Sequence, residues 1–69
     1  KPPITALPKV TKKNGKLQII CPTAAASIGW RNKGEKSWNV YSEPINTPTQ
    51  TIEFIAMRIG YLSSEIGTY

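Results

Sequence analysis

Few side chains in this 69-residue chain could do chemistry, because it contains no histidine and no aspartate. Ser-His-Asp and Cys-His nucleophile systems, which need a base beside the nucleophile, are excluded within it. The carboxylates are Glu35, Glu43, Glu53 and Glu65. A glycosidase requires two such groups about 5–10 Å apart on either side of a bond, and these four fall in turn-like or alternating positions that read as solvated surface. Structural zinc asks for Cys and His in fours, and calcium for clustered oxygens; neither pattern is present. The glycines never form a phosphate-cradling loop ahead of a helix. No catalytic residue, metal ligand or cofactor is expected.

Aromatic rings are the sharper possibility. A flat ring on a sheet surface can stack on the C–H face of a sugar while nearby amides and charges meet its hydroxyls. Trp38, Tyr41 and Arg31 are the candidates for ligand contact. Trp30 shares a strand face with Ile28 and reads instead as core, the ordinary use of a large ring in a small domain. Cys21 alternates with Leu17 and Ile19, so it reads as a small buried hydrophobe.

The net charge of +5 is local: Lys1, Lys9, Lys12, Lys13 and Lys16 all lie in the first sixteen residues. Lysines flanking a turn or an edge strand usually serve to discourage strand-to-strand aggregation; the alternative is attraction of a polyanion such as a sulfated glycan. Nucleic acid is not an expected partner, since no aromatics interleave with the lysines. No apolar run approaches the roughly 18–20 residues of a membrane span, and no secretory leader is evident. The start at Lys1-Pro2-Pro3 leads us to expect a piece of a longer protein. A chain of this size buries only about 60% of its unfolded surface, and its lone cysteine can form no internal disulfide.

The elements that must position these residues are strands. Six prolines interrupt the chain, apolar residues do not recur at helical spacing, and β-branched and aromatic residues fill the stretches between turns. Asn14-Gly15 supplies the two positive φ angles of a type I′ turn, predicting a hairpin with arms Lys9–Lys13 and Lys16–Cys21. Further strands are expected at Ser27–Asn32, around Trp38–Tyr41, at Thr51–Ile59 and at Tyr61–Ile66, with Asn46–Thr49 a loop. Thr51–Ile59 is apolar on both faces: Ile52, Phe54 and Ala56 on one, Ile55, Met57 and Ile59 on the other. A half-buried strand should show water a polar face. Either a bulge near Met57 switches the inward set, or the second stripe packs on something outside the chain. Ile55, Met57, Ile59 and Tyr61 are accordingly the candidate docking residues. The expected fold is all-β, a small antiparallel sandwich of six or seven strands over residues 1–69, with 1–8 an extended lead-in.

Three ordered segments carry a resemblance: Ala26-Ser27-Ile28-Gly29-Trp30-Arg31, then Trp38-Asn39-Val40-Tyr41-Ser42-Glu43-Pro44-Ile45, then Ala56-Met57-Arg58-Ile59-Gly60-Tyr61-Leu62-Ser63-Ser64-Glu65. The pattern resembles the fibronectin-type-III-associated or chitobiase C-terminal-like domain, in the variant appended to bacterial polysaccharide sulfatases. Ala24-Ala25-Ala26 departs from it where the family usually has Gly before Ala, and Asn32-Lys33-Gly34 replaces the usual Asp-Gly loop. The resemblance implies an immunoglobulin-like sandwich, itself non-catalytic, attached to a secreted hydrolase and working outside the cytoplasm or in the periplasm. The implied partners are the catalytic domain of the same parent chain and a polysaccharide.

Overall fold

The computed structural model describes residues 2–69. Seven strands follow one another: β1 Lys9–Lys13, β2 Lys16–Ile20, β3 Ser27–Asn32, β4 Asn39–Val40, β5 Ile45–Asn46, β6 Ile52–Met57 and β7 Gly67–Thr68. They form a three-stranded sheet, β1-β2-β5, and a four-stranded sheet, β4-β3-β6-β7, and every named strand pairing is antiparallel. There is no helix among the described residues. The fold is all-β, as expected.

Local sequence accounts for the first hairpin. Asn14 and Gly15 adopt φ of 53° and 75°, which closes Lys13 against Lys16 and sets Val10 opposite Ile19. The Gly15 carbonyl then accepts from both the backbone N–H and the hydroxyl of Thr47, at 3.2 and 2.8 Å. That contact pulls the segment after β5 onto the turn.

The core lies between the sheets. β2 contributes Leu17 and Ile19, and β6 contributes Ile52, Phe54 and Ala56, all buried. Each set alternates along its strand, so a single face of each is removed from water. Burial of each larger side chain is worth about 1.5–3 kcal/mol. The two-sided strand question resolves here: β3 and β6 stay in register from Ser27↔Met57 to Asn32↔Ile52 with no bulge, and the inward set is Ile52, Phe54 and Ala56. Trp30, opposite Phe54, is half-buried rather than enclosed, because β3 lies beside the β4 edge of the sheet.

Residues 2–8 are tied down. Thr5 N–H donates to the Leu62 carbonyl and Leu62 N–H to the Pro3 carbonyl, both at 2.8 Å. Ala6 N–H reaches the Thr23 hydroxyl at 2.9 Å, and the Cys21 thiol points at the Ala6 carbonyl at 3.3 Å. Thr5 and Pro8 are buried.

Several boundaries differ from the sequence-based expectation. No strand forms over Tyr61–Ile66 apart from an isolated parallel bridge of Leu62 to Ile4. After β6 the chain turns through Gly60, at φ 85°, and returns through buried Ser64. The Ser64 hydroxyl accepts the Ala56 N–H at 2.9 Å while Ser64 N–H donates to the Ala56 carbonyl at the same distance. A side chain thus takes a place that a ladder carbonyl would fill, and pairing resumes only at β7, with Phe54↔Gly67. Gly67 is required there, since a Cβ would collide with the Phe54 ring. The strand expected around Trp38–Tyr41 shortens to Asn39–Val40, Asn46 belongs to β5 rather than to a loop, and β6 stops at Met57 instead of Ile59.

Candidate functional site: the outer face of the four-stranded sheet

Register dictates which side chains share this face. Side chains alternate across a strand, so those opposite the core set Ile52, Phe54 and Ala56 are Glu53, Ile55 and Met57 on β6. Their partners on β3 are Arg31, Gly29 and Ser27. Across the other edge of β3, Gly29 pairs with Val40 and Trp30 with Asn39. One step further, Trp38 falls beside Arg31. Trp38, Val40, Arg31, Ile55 and Met57 therefore share one surface, with Ile59 just beyond the strand end. It is apolar and open: Val40 is 82% exposed, Met57 41% and Ile59 100%. A shallow depression of about 540 Å³ at its lower end is lined by Ala25, Ser27, Met57, Arg58 and Ile59.

Trp38 is held in a defined place. Gly29 is buried although it lies on the outer face, because Trp38 covers it; a Cβ at Gly29 would stand 3.3 Å from Trp38 Cβ and 3.6 Å from its Cε3. The Arg31 guanidinium stacks over the indole at 3.9 Å from the ring centroid. Arg31 Nε donates to Glu53 Oε1 at 2.9 Å, with both side chains 18% exposed, and Nη1 donates to the Lys36 carbonyl at 3.4 Å. A planar cation fixed by a carboxylate, a carbonyl and an aromatic face is a rigid arrangement that lysine could not reproduce.

The structure brings some of the sequence candidates together and separates others. Arg31 and Trp38 are in contact and lie on the same face as Ile55 and Met57. Tyr41 does not join them. Next to outward Val40, it points inward, and its hydroxyl accepts the Ile19 N–H of the other sheet at 3.1 Å. Tyr61 lies in the turn after β6, with its ring under the Arg58 guanidinium at 4.4 Å and its hydroxyl accepting from Arg58 Nη1 at 3.0 Å. Glu35 accepts the Asn32 N–H at 3.0 Å and closes the β3–β4 turn; Glu43 and Glu65 are exposed.

Two contributors lie outside the candidate residues named from the sequence. A glycine inside a strand signals close approach of another group, and Gly29 between Ile28 and Trp30 carried that signal. Nothing local marked Glu53 as the partner of Arg31, which lies 22 residues away.

No protein-family model matches the chain, and no solved structure gives a significant match. Among curated proteins it is similar to an ulvan-active sulfatase of Formosa agariphila, at 41% identity over 69 residues. That alignment takes in 91% of this chain and 12% of the sulfatase. The chain is thus similar to a small part of a sulfatase and spans about an eighth of that relative's length.

Proposed function

We propose that this chain is a non-catalytic accessory domain of a secreted, sulfatase-like carbohydrate-active enzyme, of the fibronectin-type-III-associated or chitobiase C-terminal-like kind. It packs on the catalytic domain of its parent chain through the outer face of the four-stranded sheet. The observation that carries this reading is the apolar stripe of exposed Val40, Met57 and Ile59 with half-buried Trp38 and Ile55 between them, in a chain similar to a small part of a much longer enzyme. Contiguous apolar surface on a small domain marks a place where another protein surface belongs. Tyr61, two residues beyond Ile59, packs under Arg58, which lines the depression at the end of that face. The implied setting is extracellular or periplasmic.

The test is to delete this domain from a sulfatase-like parent that carries it. Loss of solubility, or a lower melting temperature of the catalytic part, is expected. An unchanged melting temperature and unchanged activity would refute docking.

A second reading is favoured by the Arg31–Trp38 stack: a carbohydrate-binding surface in which the indole meets a sugar ring and Arg31 its hydroxyls or sulfates. Tyr41, turned to the other sheet, would contribute by holding β4 in place. Trp38→Ala would then abolish retardation of the chain in polysaccharide-containing gels. Identical mobility of the variant and the original chain in every gel would eliminate this role.

A further inference from the structure

The outward face of the other sheet carries a different chemistry. In the β1–β2 hairpin, Val10, Leu17 and Ile19 lie on the core side, so register places Lys9, Thr11 and Lys13 outward on β1, and Lys16, Gln18 and Ile20 outward on β2. All six are exposed. Lys13 and Lys16 stand directly opposite each other, an arrangement of like charges that destabilises a ladder. Lys9 lies four residues back along the same face, roughly 13 Å away. The ion pair among the described residues is Arg31 with Glu53, so no carboxylate there neutralises these lysines. Lys13, Asn14, Lys16, Gln18 and Pro44 line a depression of about 270 Å³.

Protection of a sheet edge explains lysines on β1, which is an edge strand. It does not explain Lys16, because β2 is paired on both sides, with β1 and with β5. From this geometry we infer that the Lys9–Lys13–Lys16 face is a binding site for the sulfate groups of a linear sulfated polysaccharide. Thr11, Gln18 and Asn14 offer hydroxyl and amide groups between the charges for sugar hydroxyls. The six outward positions of the hairpin hold no aromatic ring on which a nucleobase could stack. The site belongs to the opposite layer from the apolar docking face, so the parent enzyme and a glycan can occupy the domain together. The choice of sulfate as the anion rests on the accessory-domain reading; the charge geometry does not.

Calorimetric titration of the 69-residue chain with dextran sulfate tests this without the parent, so its outcome is separate from that of the deletion. Saturable binding in low salt is expected, weakening as salt rises and absent with unsulfated dextran. Lys13→Gln/Lys16→Gln should bind roughly thirtyfold more weakly, while Lys33→Gln/Lys36→Gln, with the same net charge, should bind as the original chain does. No binding to dextran sulfate, or equal losses in the two double variants, would overturn the site. Binding of a DNA duplex as tightly as dextran sulfate would overturn the assignment to glycan.

Discussion

The Tyr41 hydroxyl accepts a hydrogen bond from the Ile19 backbone N–H at 3.1 Å, joining the residue that follows β4 to β2 of the other sheet. Ile19 sits on β2 where β5 no longer runs alongside, since the β2–β5 pairing covers Lys16 and Leu17. The phenol supplies the acceptor that a longer β5 would have provided. Tyr41 is anchored from behind by its own N–H, which donates to the Ile28 carbonyl at 2.9 Å.

Tyr41→Phe keeps the ring and leaves the Ile19 N–H without its partner. A loss of about 1 kcal/mol is expected, which in a domain of this size lowers the melting temperature by roughly 4–8 °C. Thermal unfolding followed by circular dichroism reads it directly; an unshifted transition would mean the bond contributes nothing.

Gly67→Ala places a methyl group into the ring of Phe54. Neither the ring nor the β6–β7 ladder can move without disturbing the core, so a loss of about 1–3 kcal/mol is expected. Chemical denaturation should show a lower midpoint with an unchanged slope.

Ala25 adopts a positive φ of 61°, a conformation that costs a residue with a Cβ roughly 1–2 kcal/mol. Ala25→Gly relieves that strain, while glycine's greater freedom in the unfolded chain subtracts part of the gain. A net stabilisation below about 1 kcal/mol is expected, seen as a small upward shift of the denaturation midpoint. A downward shift would contradict the strain argument.

Thr5 is buried, and its Oγ1 has no hydrogen-bond partner among the described residues. Thr5→Val replaces that hydroxyl with a methyl group and keeps the backbone bond to Leu62. Because a buried polar group without a partner costs about 1–3 kcal/mol, the variant should be the more stable of the two by equilibrium unfolding.

A double-mutant cycle on Arg31→Ala and Trp38→Ala isolates the stacked pair. Partial exposure sets the expected coupling at about 0.5–1 kcal/mol. Additive effects would show that the guanidinium over the indole is a consequence of the Glu53 contact alone.

Much of the scaffold was legible because its signals are local. Asn14-Gly15 specifies its turn through the φ angles those two residues tolerate, and the inward sets Leu17/Ile19 and Ile52/Phe54/Ala56 follow from alternation within a single strand. The short strands were misjudged for the converse reason. β4, β5 and β7 have two residues each, too few for a period to show, and they exist because a longer neighbour offers free N–H and carbonyl groups. The expectation of a strand over Tyr61–Ile66 failed for a related reason, since the Ser64 side chain competes for the backbone groups of Ala56.

The residue types and their order determined an all-β chain, a basic hairpin, and a long strand with one apolar stripe too many for its own core. Which distant residues share a surface was decided only on folding. The β3 register sets Trp38 and Val40 beside Arg31, Ile55 and Met57 and turns Tyr41 to the opposite sheet. Register is a relation between backbone groups far apart in sequence, and a shift of one residue exchanges the two faces of a strand.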